Sequence, residues 1–371
     1  MRTGSKAVGK DVPSFIIAET GTTFKIGNKI IGKDSEPFII AEAGINHNGD
    51  MKLAKKMILA AKECGVDAVK FQTFHAEEFI QDKTTTYTYK SQGKEVTESM
   101  LEMFHRNEFT ESEWMEIKNY CDEQKIIFLS TPQNVSDLFL LLGLGIEAVK
   151  VGSDDFVNIP LIRKYSKEKL PLLLSCGMAT DDEIKKTLET VKEFNDEPTV
   201  LFLCTSEYPT PPEDVNILKL KTMAEKYKDV ILGFSDHTQG NEAAVMATAL
   251  GARVFEKHFT LSHDLPGPDH WFSEEPTGLA AWADAIRMAY QMLGDDTLMP
   301  TEAEKEMRQL AHRSITAIID IQAGELFSEA KIDMRRPGTG IPAREWDLVI
   351  GKKAVRDIKA GEQLSWEDID E

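Results

Sequence analysis

Basic residues are scarce: 43 lysines and arginines stand against 62 aspartates and glutamates, a formal net charge of −19. A phosphate backbone or an anionic bilayer needs a basic face, so this balance excludes nucleic acid and the membrane surface as partners. It leaves room for a small anionic ligand, which needs only a few local lysines. Cysteine is limited to Cys64, Cys121, Cys176 and Cys204, with no metal-binding spacing among them. Three of these lie in or beside apolar stretches, the pattern of reduced core thiols in a cytoplasmic protein. No apolar run reaches the length that crosses a bilayer, and no signal-peptide core is present. At 371 residues the chain exceeds what one eight-unit barrel requires and is long enough to bury a large core.

What the chain does contain is a repeated pattern. Eight short apolar runs, each ending in a polar or ionisable residue, lie at Phe38–Ala43, Val66–Phe71, Ile126–Leu129, Ala148–Val151, Pro171–Leu174, Thr199–Leu203, Val230–Phe234 and Arg253–Phe255. They lead into Glu42, into Lys70 and Gln72, into Ser130 and Thr131, into Lys150 and Ser153, and into Ser175. The last three lead into Thr205 and Ser206, into Ser235, Asp236 and His237, and into Glu256, Lys257 and His258. Stretches with helical spacing, such as Leu53, Met57, Ala60 and Ala61, lie between them. Strands alternating with helices imply parallel βαβ units, and eight units close into a (β/α)8 TIM barrel. Chemistry then belongs at the C-terminal rim, where the βα loops converge and where these polar residues stand.

The organisation outside the runs predicts four segments. Residues 1–22 read as an extension: Pro13–Gly21 (PSFIIAETG) nearly copies Pro37–Gly44 (PFIIAEAG), and only the second copy continues into GINHNGD and a helix that Asp50 can cap. Glu19 is therefore expected to be inert. The barrel segment is 23–293, beginning with a hairpin over Phe24–Ile31 that turns at Gly27-Asn28 and covers the barrel's foot. The polar stretch 294–311 reads as a linker. Residues 312–371 form a small β-rich unit with an internal repeat, IQAGELFSEAKID (Ile321–Asp333) and IKAGEQLSWEDID (Ile358–Asp370), identical at seven of thirteen positions. The Gly- and Pro-rich RRPGTGIP (Arg335–Pro342) separates the two copies.

Two constellations carry chemistry. His237 and His258 end consecutive strands, where two imidazoles can hold a divalent metal and leave positions open; the alternative is one catalytic and one structural histidine. Asp236 and Glu256 are the expected acceptors that fix the imidazole tautomers. Lys70 and Lys150 end the second and fourth strands, and a lysine inside a barrel is costly unless it meets an anion. With Ser153, Ser175, Ser235 and Thr131 around them they suit a phosphate and a carboxylate. A Schiff-base lysine or a structural ion pair with Glu42 or Asp154 are the competing readings. The rigid turns Pro266–Asp269 and Tyr208–Pro212 are expected to present Asp269 and Tyr208 over the rim.

The motifs FIIAEAGINHNGD, AVKFQTF, FLSTP, AVKVGS, CTSEYPTP, GFSDHT, EKHF and LPGPDH, in this order over about 24–371, resemble the sialic acid (nonulosonate) synthase family. IQAGELFSEAKI, RPGTGI and IKAGEQLSWEDI resemble that family's antifreeze-like (SAF) domain. The resemblance implies a barrel that condenses phosphoenolpyruvate with an open-chain N-acetylated amino sugar and releases phosphate. It implies that His237 and His258 bind Mn²⁺, or another divalent cation such as Mg²⁺ or Co²⁺. Lys70, Thr131, Lys150, Ser153, Ser175 and Ser235 would hold phosphoenolpyruvate, and Glu42, Gln72, Tyr208 and Asp269 would face the sugar and the reacting atoms. Arg336 would reach the sugar from the other subunit of a domain-swapped homodimer. N-acetylmannosamine, giving N-acetylneuraminate, is the expected sugar; a 2,4-diacetamido-trideoxy sugar, giving legionaminic or pseudaminic acid, is the alternative. Many members have an aromatic where this chain has Gln133 and an asparagine where it has Ser206, and no sugar-binding asparagine is evident around Gln92–Thr97. All three departures lie toward the sugar. Outside this class, a Schiff-base aldolase and an ice-binding protein are the rival readings.

Overall fold

The computed structural model describes residues 23–370, and the extension expected over 1–22, with Glu19, lies outside them. The chain divides into one unit ending at Gly294 and a second beginning at Asp295. The first unit opens with an antiparallel hairpin, β1 (Phe24–Ile26) and β2 (Lys29–Ile31), turning at Gly27 with φ of 58°. Eight parallel strands follow: β3 (Phe38–Gly44), β4 (Ala68–Thr73), β7 (Ile127–Pro132), β8 (Val149–Val151), β9 (Leu172–Ser175), β10 (Thr199–Cys204), β11 (Ile231–Asp236) and β12 (Val254–His258). A second hairpin, β5 (Thr86–Ser91) with β6 (Lys94–Ser99), is inserted after β4. The parallel order is β7-β4-β3-β12-β11-β10-β9-β8, and β7 lies against β8 to close the ring. This is the eight-stranded barrel that the apolar runs imply, with a helix after every strand.

Local chemistry starts the helices where the chain leaves the rim. Asp50 accepts from Lys52 N at 2.7 Å and Leu53 N at 3.3 Å, capping the helix Met51–Glu63. Thr110 and Thr180 form capping boxes with Glu113 and Glu183 for the helices Glu111–Gln124 and Asp181–Phe194. Losing such a cap costs about 1 kcal/mol. The core lies in two layers. Strand residues facing outward, such as Ile39, Val69 and Phe255, pack with helix residues that include Trp114 and Trp282. Inward residues at the strand starts, among them Ile40, Ala68, Leu173, Val200 and Val254, pack with Phe24, Ile26 and Ile31 of the first hairpin. The hairpin therefore plugs the foot of the barrel, as its alternating pattern suggests. With the foot filled by hydrocarbon, the polar ends of the same inward rows are left at the opposite rim.

In the second unit, the stretch read as a linker carries a helix, Glu302–Ala311. Thr301 accepts from Glu304 N at 3.3 Å while Glu304 accepts from Thr301 N at 2.8 Å, a capping box that a reading based on polarity overlooks. Beyond it, β13 (Ser314–Ala317) pairs antiparallel with β14 (Ile332–Arg335). The first residues of the two repeat copies exchange hydrogen bonds, Ile321 N to Ile358 O at 2.9 Å and Ile358 N to Ile321 O at 2.8 Å. Such an exchange between equivalent residues defines a local two-fold. Phe327 with Leu364 then occupy matching core positions, and Gly324 and Gly361 both adopt positive φ, 86° and 91°.

Candidate active site

Inward-facing residues at the strand ends and in the rim loops line one cavity of about 950 Å³. Glu42, Lys70, Gln72, Thr131, Lys150, Ser153, Ser175, Tyr208, Ser235, His237, His258 and Asp269 all line it. Arg336 belongs to the second unit, exposed in the loop after β14.

The floor is a buried charge cluster. Lys70 lies 2.7 Å from Glu42 and 3.7 Å from Glu256, and donates to Thr131 Oγ1 at 3.1 Å. Lys150 donates to Ser175 Oγ at 2.8 Å and to Val151 O at 3.1 Å, with Glu256 at 3.6 Å and the Phe202 ring centroid at 5.3 Å. Burial pushes the Glu42 carboxyl up to about 7 against the pull of Lys70. Burial opposes ionisation of Glu256 too, but Lys150 and Lys70 together outweigh it and hold its pKa below the usual range. Burial lowers the Lys150 pKa, whereas for Lys70 the nearby Glu256 and Glu42 overcome burial and raise it. The ion pair with Glu42 that competes with an anion-site reading is thus present for Lys70. Lys150 has no carboxylate closer than 3.6 Å among the described residues.

The two imidazoles stand side by side, ring centroids 5.4 Å apart, because β11 and β12 pair in register through Ser235 with Glu256 and Asp236 with Lys257. His237 Nδ1 donates to Thr205 O at 2.7 Å; a carbonyl only accepts, so in the neutral ring the lone pair is on Nε2, while burial of the ring is outweighed by Cys204 and this carbonyl, which raise its pKa. Burial, reinforced by His237 and the lysines, pushes the His258 pKa well below its ordinary value. Its Nδ1 is buried without a hydrogen-bond partner among the described residues. The paired imidazoles, one with an orphaned nitrogen, fit a divalent cation completed by water or substrate oxygens. No cluster of three or more His, Cys, Asp or Glu with metal-binding geometry occurs among the described residues, so the remaining positions of such an ion would be open.

The acceptors expected to fix the imidazoles do otherwise. Strand alternation points Asp236 away from the cavity, where it accepts from Trp282 Nε1 at 2.8 Å and Lys257 Nζ at 3.2 Å. Glu256 faces the two lysines rather than an imidazole. A backbone carbonyl, Thr205 O, performs the role for His237, and no sequence signal marks it.

Toward solvent, the Tyr208 ring lies tilted against His237 and Phe272, with centroid separations of 4.1 and 4.8 Å. Burial raises the Asp269 carboxyl to about 6. Gln72 Nε2 donates to Glu42 Oε1 at 3.3 Å. The β5–β6 hairpin adds Tyr87, Thr88, Tyr89, Lys90 and Glu95 to the lining, tied down by Gly267 N to Ser91 Oγ at 3.1 Å and Gln92 Nε2 to Asp264 O at 2.8 Å. Sequence reasoning overlooked this hairpin. Its signal was Gln92-Gly93, both at positive φ (50° and 72°), between alternating TYTYKS and KEVTES.

A parallel eight-stranded barrel with ionisable residues gathered at the C-terminal ends of its strands has the architecture of an enzyme. The NeuB family model matches residues 57–297 and the SAF domain model matches 312–370. N,N'-diacetyllegionaminic acid synthase of Legionella pneumophila is 36% identical over 371 residues, covering 99% of this chain and 98% of that protein. Human N-acetylneuraminate-9-phosphate synthase is 32% identical over 368 residues, covering 98% of this chain and 94% of its own. The crystal structure of N-acetylneuraminic acid (sialic acid) synthetase from Leptospira borgpetersenii, in complex with citrate, matches with a TM-score of 0.69 at 33% identity, over 77% of this chain and 95% of that one. The chain belongs to the NeuB family, the nonulosonic acid synthases, and carries a C-terminal SAF domain.

Proposed function

We propose that this enzyme condenses phosphoenolpyruvate with the open-chain form of an N-acetylated amino sugar, yielding a nonulosonic acid and inorganic phosphate. The observation that carries the reading is the cavity floor: two buried lysines among hydroxyls, facing two imidazoles whose ring centroids lie 5.4 Å apart. N-acetylmannosamine and a 2,4-diacetamido-trideoxy sugar both suit the chemistry, and the names of the relatives include products of each kind.

Lys70 and Lys150, with Thr131, Ser175, Ser153 and Ser235, hold the phosphate and carboxylate of phosphoenolpyruvate and fix its C3 toward the aldehyde carbon. A divalent cation such as Mn²⁺, Mg²⁺ or Co²⁺, held by His237 and His258, would supply Lewis-acid polarisation of the aldehyde oxygen. The C3–C1 bond forms, water adds at C2 of phosphoenolpyruvate, and the hemiketal phosphate breaks its C–O bond to release phosphate. Glu42 exchanges its proton near neutral pH, the property required of the group that takes the proton from the water adding at C2. Gln72 orients Glu42, while Tyr208 and Asp269 face the sugar. The test is stoichiometric: one phosphate released per phosphoenolpyruvate consumed, only with sugar present, and a product mass equal to both substrates plus water less phosphoric acid. Borohydride trapping of a substrate-derived adduct on Lys150, with turnover surviving metal removal, would instead establish a Schiff-base aldolase.

An anion bound against Lys70 makes ionised Glu42 harder to maintain. Phosphoenolpyruvate should therefore bind with proton uptake, and its Kd should rise as pH climbs through about 7, where Glu42 ionises in the free enzyme. Calorimetry in buffers of different ionisation enthalpy measures the uptake. Glu42→Gln should abolish the uptake specific to Glu42, leaving only the ligand's own titration.

The active assembly in this reading is a homodimer in which Arg336 serves the barrel of a second copy. Its planar donors suit a sugar hydroxyl or amide oxygen. Arg336→Ala and His237→Ala, each nearly inactive alone, should regain partial activity when their subunits are exchanged. No rescue despite demonstrated exchange would rule out service in trans.

A further inference from the structure

The cavity is polarised by charge. Its floor carries Lys70 and Lys150, both buried. Among the described residues, its exposed mouth is lined by the carboxylates of Glu95, Asp154 and Glu207 and by one exposed lysine, Lys90, with no arginine. Lys90 is already engaged. It stands directly opposite Glu95 in the β5–β6 register, so the two side chains lie on one face of the hairpin, and its Nζ rests 4.8 Å from the Trp271 ring centroid. Arg106, on the helix that follows the hairpin, is held by Glu98 through two hydrogen bonds of 2.9 and 2.8 Å. Phe79 and Phe104, 5.0 Å apart, add an apolar wall with Met100 and Met103.

We infer that this mouth is a charge filter, with Glu95 its determinant, that admits an uncharged amino sugar and rejects a sugar phosphate. The inference rests on the condensation proposed above. Phosphoenolpyruvate contributes three carbons, so carbon 6 of the sugar becomes carbon 9 of the product. A 6-phosphate therefore rides at the end of the sugar farthest from the aldehyde, while the aldehyde must reach the phosphoenolpyruvate on the floor. That geometry leaves the dianion at the mouth, among three carboxylates and one lysine that rests on the Trp271 ring. Phosphate recognition needs unspent cationic donors, and like charges brought together oppose binding. Arg336 arriving from a second copy would still leave two cations against three carboxylates. The apolar wall suits a methyl or acetyl substituent better than a phosphate.

The experiment compares phosphate release from phosphoenolpyruvate with N-acetylmannosamine, its 6-phosphate and a 2,4-diacetamido-trideoxy sugar, using full-length enzyme with added Mn²⁺. At least one uncharged sugar should exceed the 6-phosphate in kcat/KM by ~100-fold or more. Glu95→Lys should narrow that gap by ~10-fold, through a lower KM for the phosphorylated sugar. Glu95 lies on an exposed hairpin strand, so the substitution leaves the core untouched. A 6-phosphate used as well as the uncharged sugars would overturn the filter while leaving the condensation standing. An unchanged gap in Glu95→Lys would overturn the role of Glu95. Turnover with none of the three would sink the condensation and the filter with it.

Discussion

Replacing either His237 or His258 by alanine should abolish binding of the divalent cation proposed above and lower kcat by ~10³-fold, the equivalent of several kcal/mol of lost Lewis-acid stabilisation. Only two protein ligands are offered among the described residues, so neither imidazole has a substitute. The two variants should differ in stability. His258 is half-buried, with an orphaned buried nitrogen and a pKa that burial pushes well below its ordinary value. Its removal deletes a polar group that satisfies nothing in the metal-free protein, and the melting temperature of the metal-free form should hardly fall. His237 donates to Thr205 O, which also accepts from Glu207 N at 2.9 Å, so its loss removes one of that carbonyl's hydrogen bonds, at a cost of about 1 kcal/mol. Elemental analysis of the purified variants and melting curves with and without metal give both readouts. Full metal occupancy in either variant would refute the assignment of its histidine.

The barrel was legible because period and punctuation agree: eight apolar runs, each leading to a polar end, determine which residues face inward at the rim. His237 and His258 could be placed side by side from that pattern alone. Groups defined by pairing rather than by periodicity were less legible. Asp236 looked like a partner for an imidazole because it adjoins one in sequence, but adjacent strand residues face opposite ways, and it serves Lys257 and Trp282 instead. Glu256 alternates inward with His258, yet nothing local indicates that it lies within 3.7 Å of both Lys70 and Lys150. These contacts join strands far apart in sequence, across the barrel's interior. The linker helix escaped notice for another reason: its capping box is plain in Thr301 and Glu304, but its apolar stripe of Ala303, Met307 and Leu310 is short, set among charges, and stays exposed.

Lys150→Ala should weaken phosphoenolpyruvate far more than the sugar, raising KM for the former while KM for the latter moves little. The charge cluster explains why Lys150 should matter more than its neighbour. Lys70 is held 2.7 Å from Glu42 and is also 3.7 Å from Glu256, so it enters the binding step already compensated. Lys150 has Glu256 at 3.6 Å and otherwise a serine hydroxyl, a carbonyl and an aromatic face. Its charge is desolvated and under-neutralised, as its lowered pKa records, and an incoming trianion supplies what is missing. Without Lys150, that anion must share the floor with Glu256 and lose its strongest partner, at a cost of ~3–5 kcal/mol. The expected loss in kcat/KM for phosphoenolpyruvate is therefore ~10²–10³-fold or more. Lys150→Met retains much of the stem over Phe202 and should show the same defect, which separates loss of charge from loss of packing. Steady-state kinetics with each substrate varied against saturating levels of the other makes the measurement. If KM for phosphoenolpyruvate stays unchanged in both variants while the sugar's rises, the floor of this cavity holds the sugar and the orientation of the two substrates must be reversed.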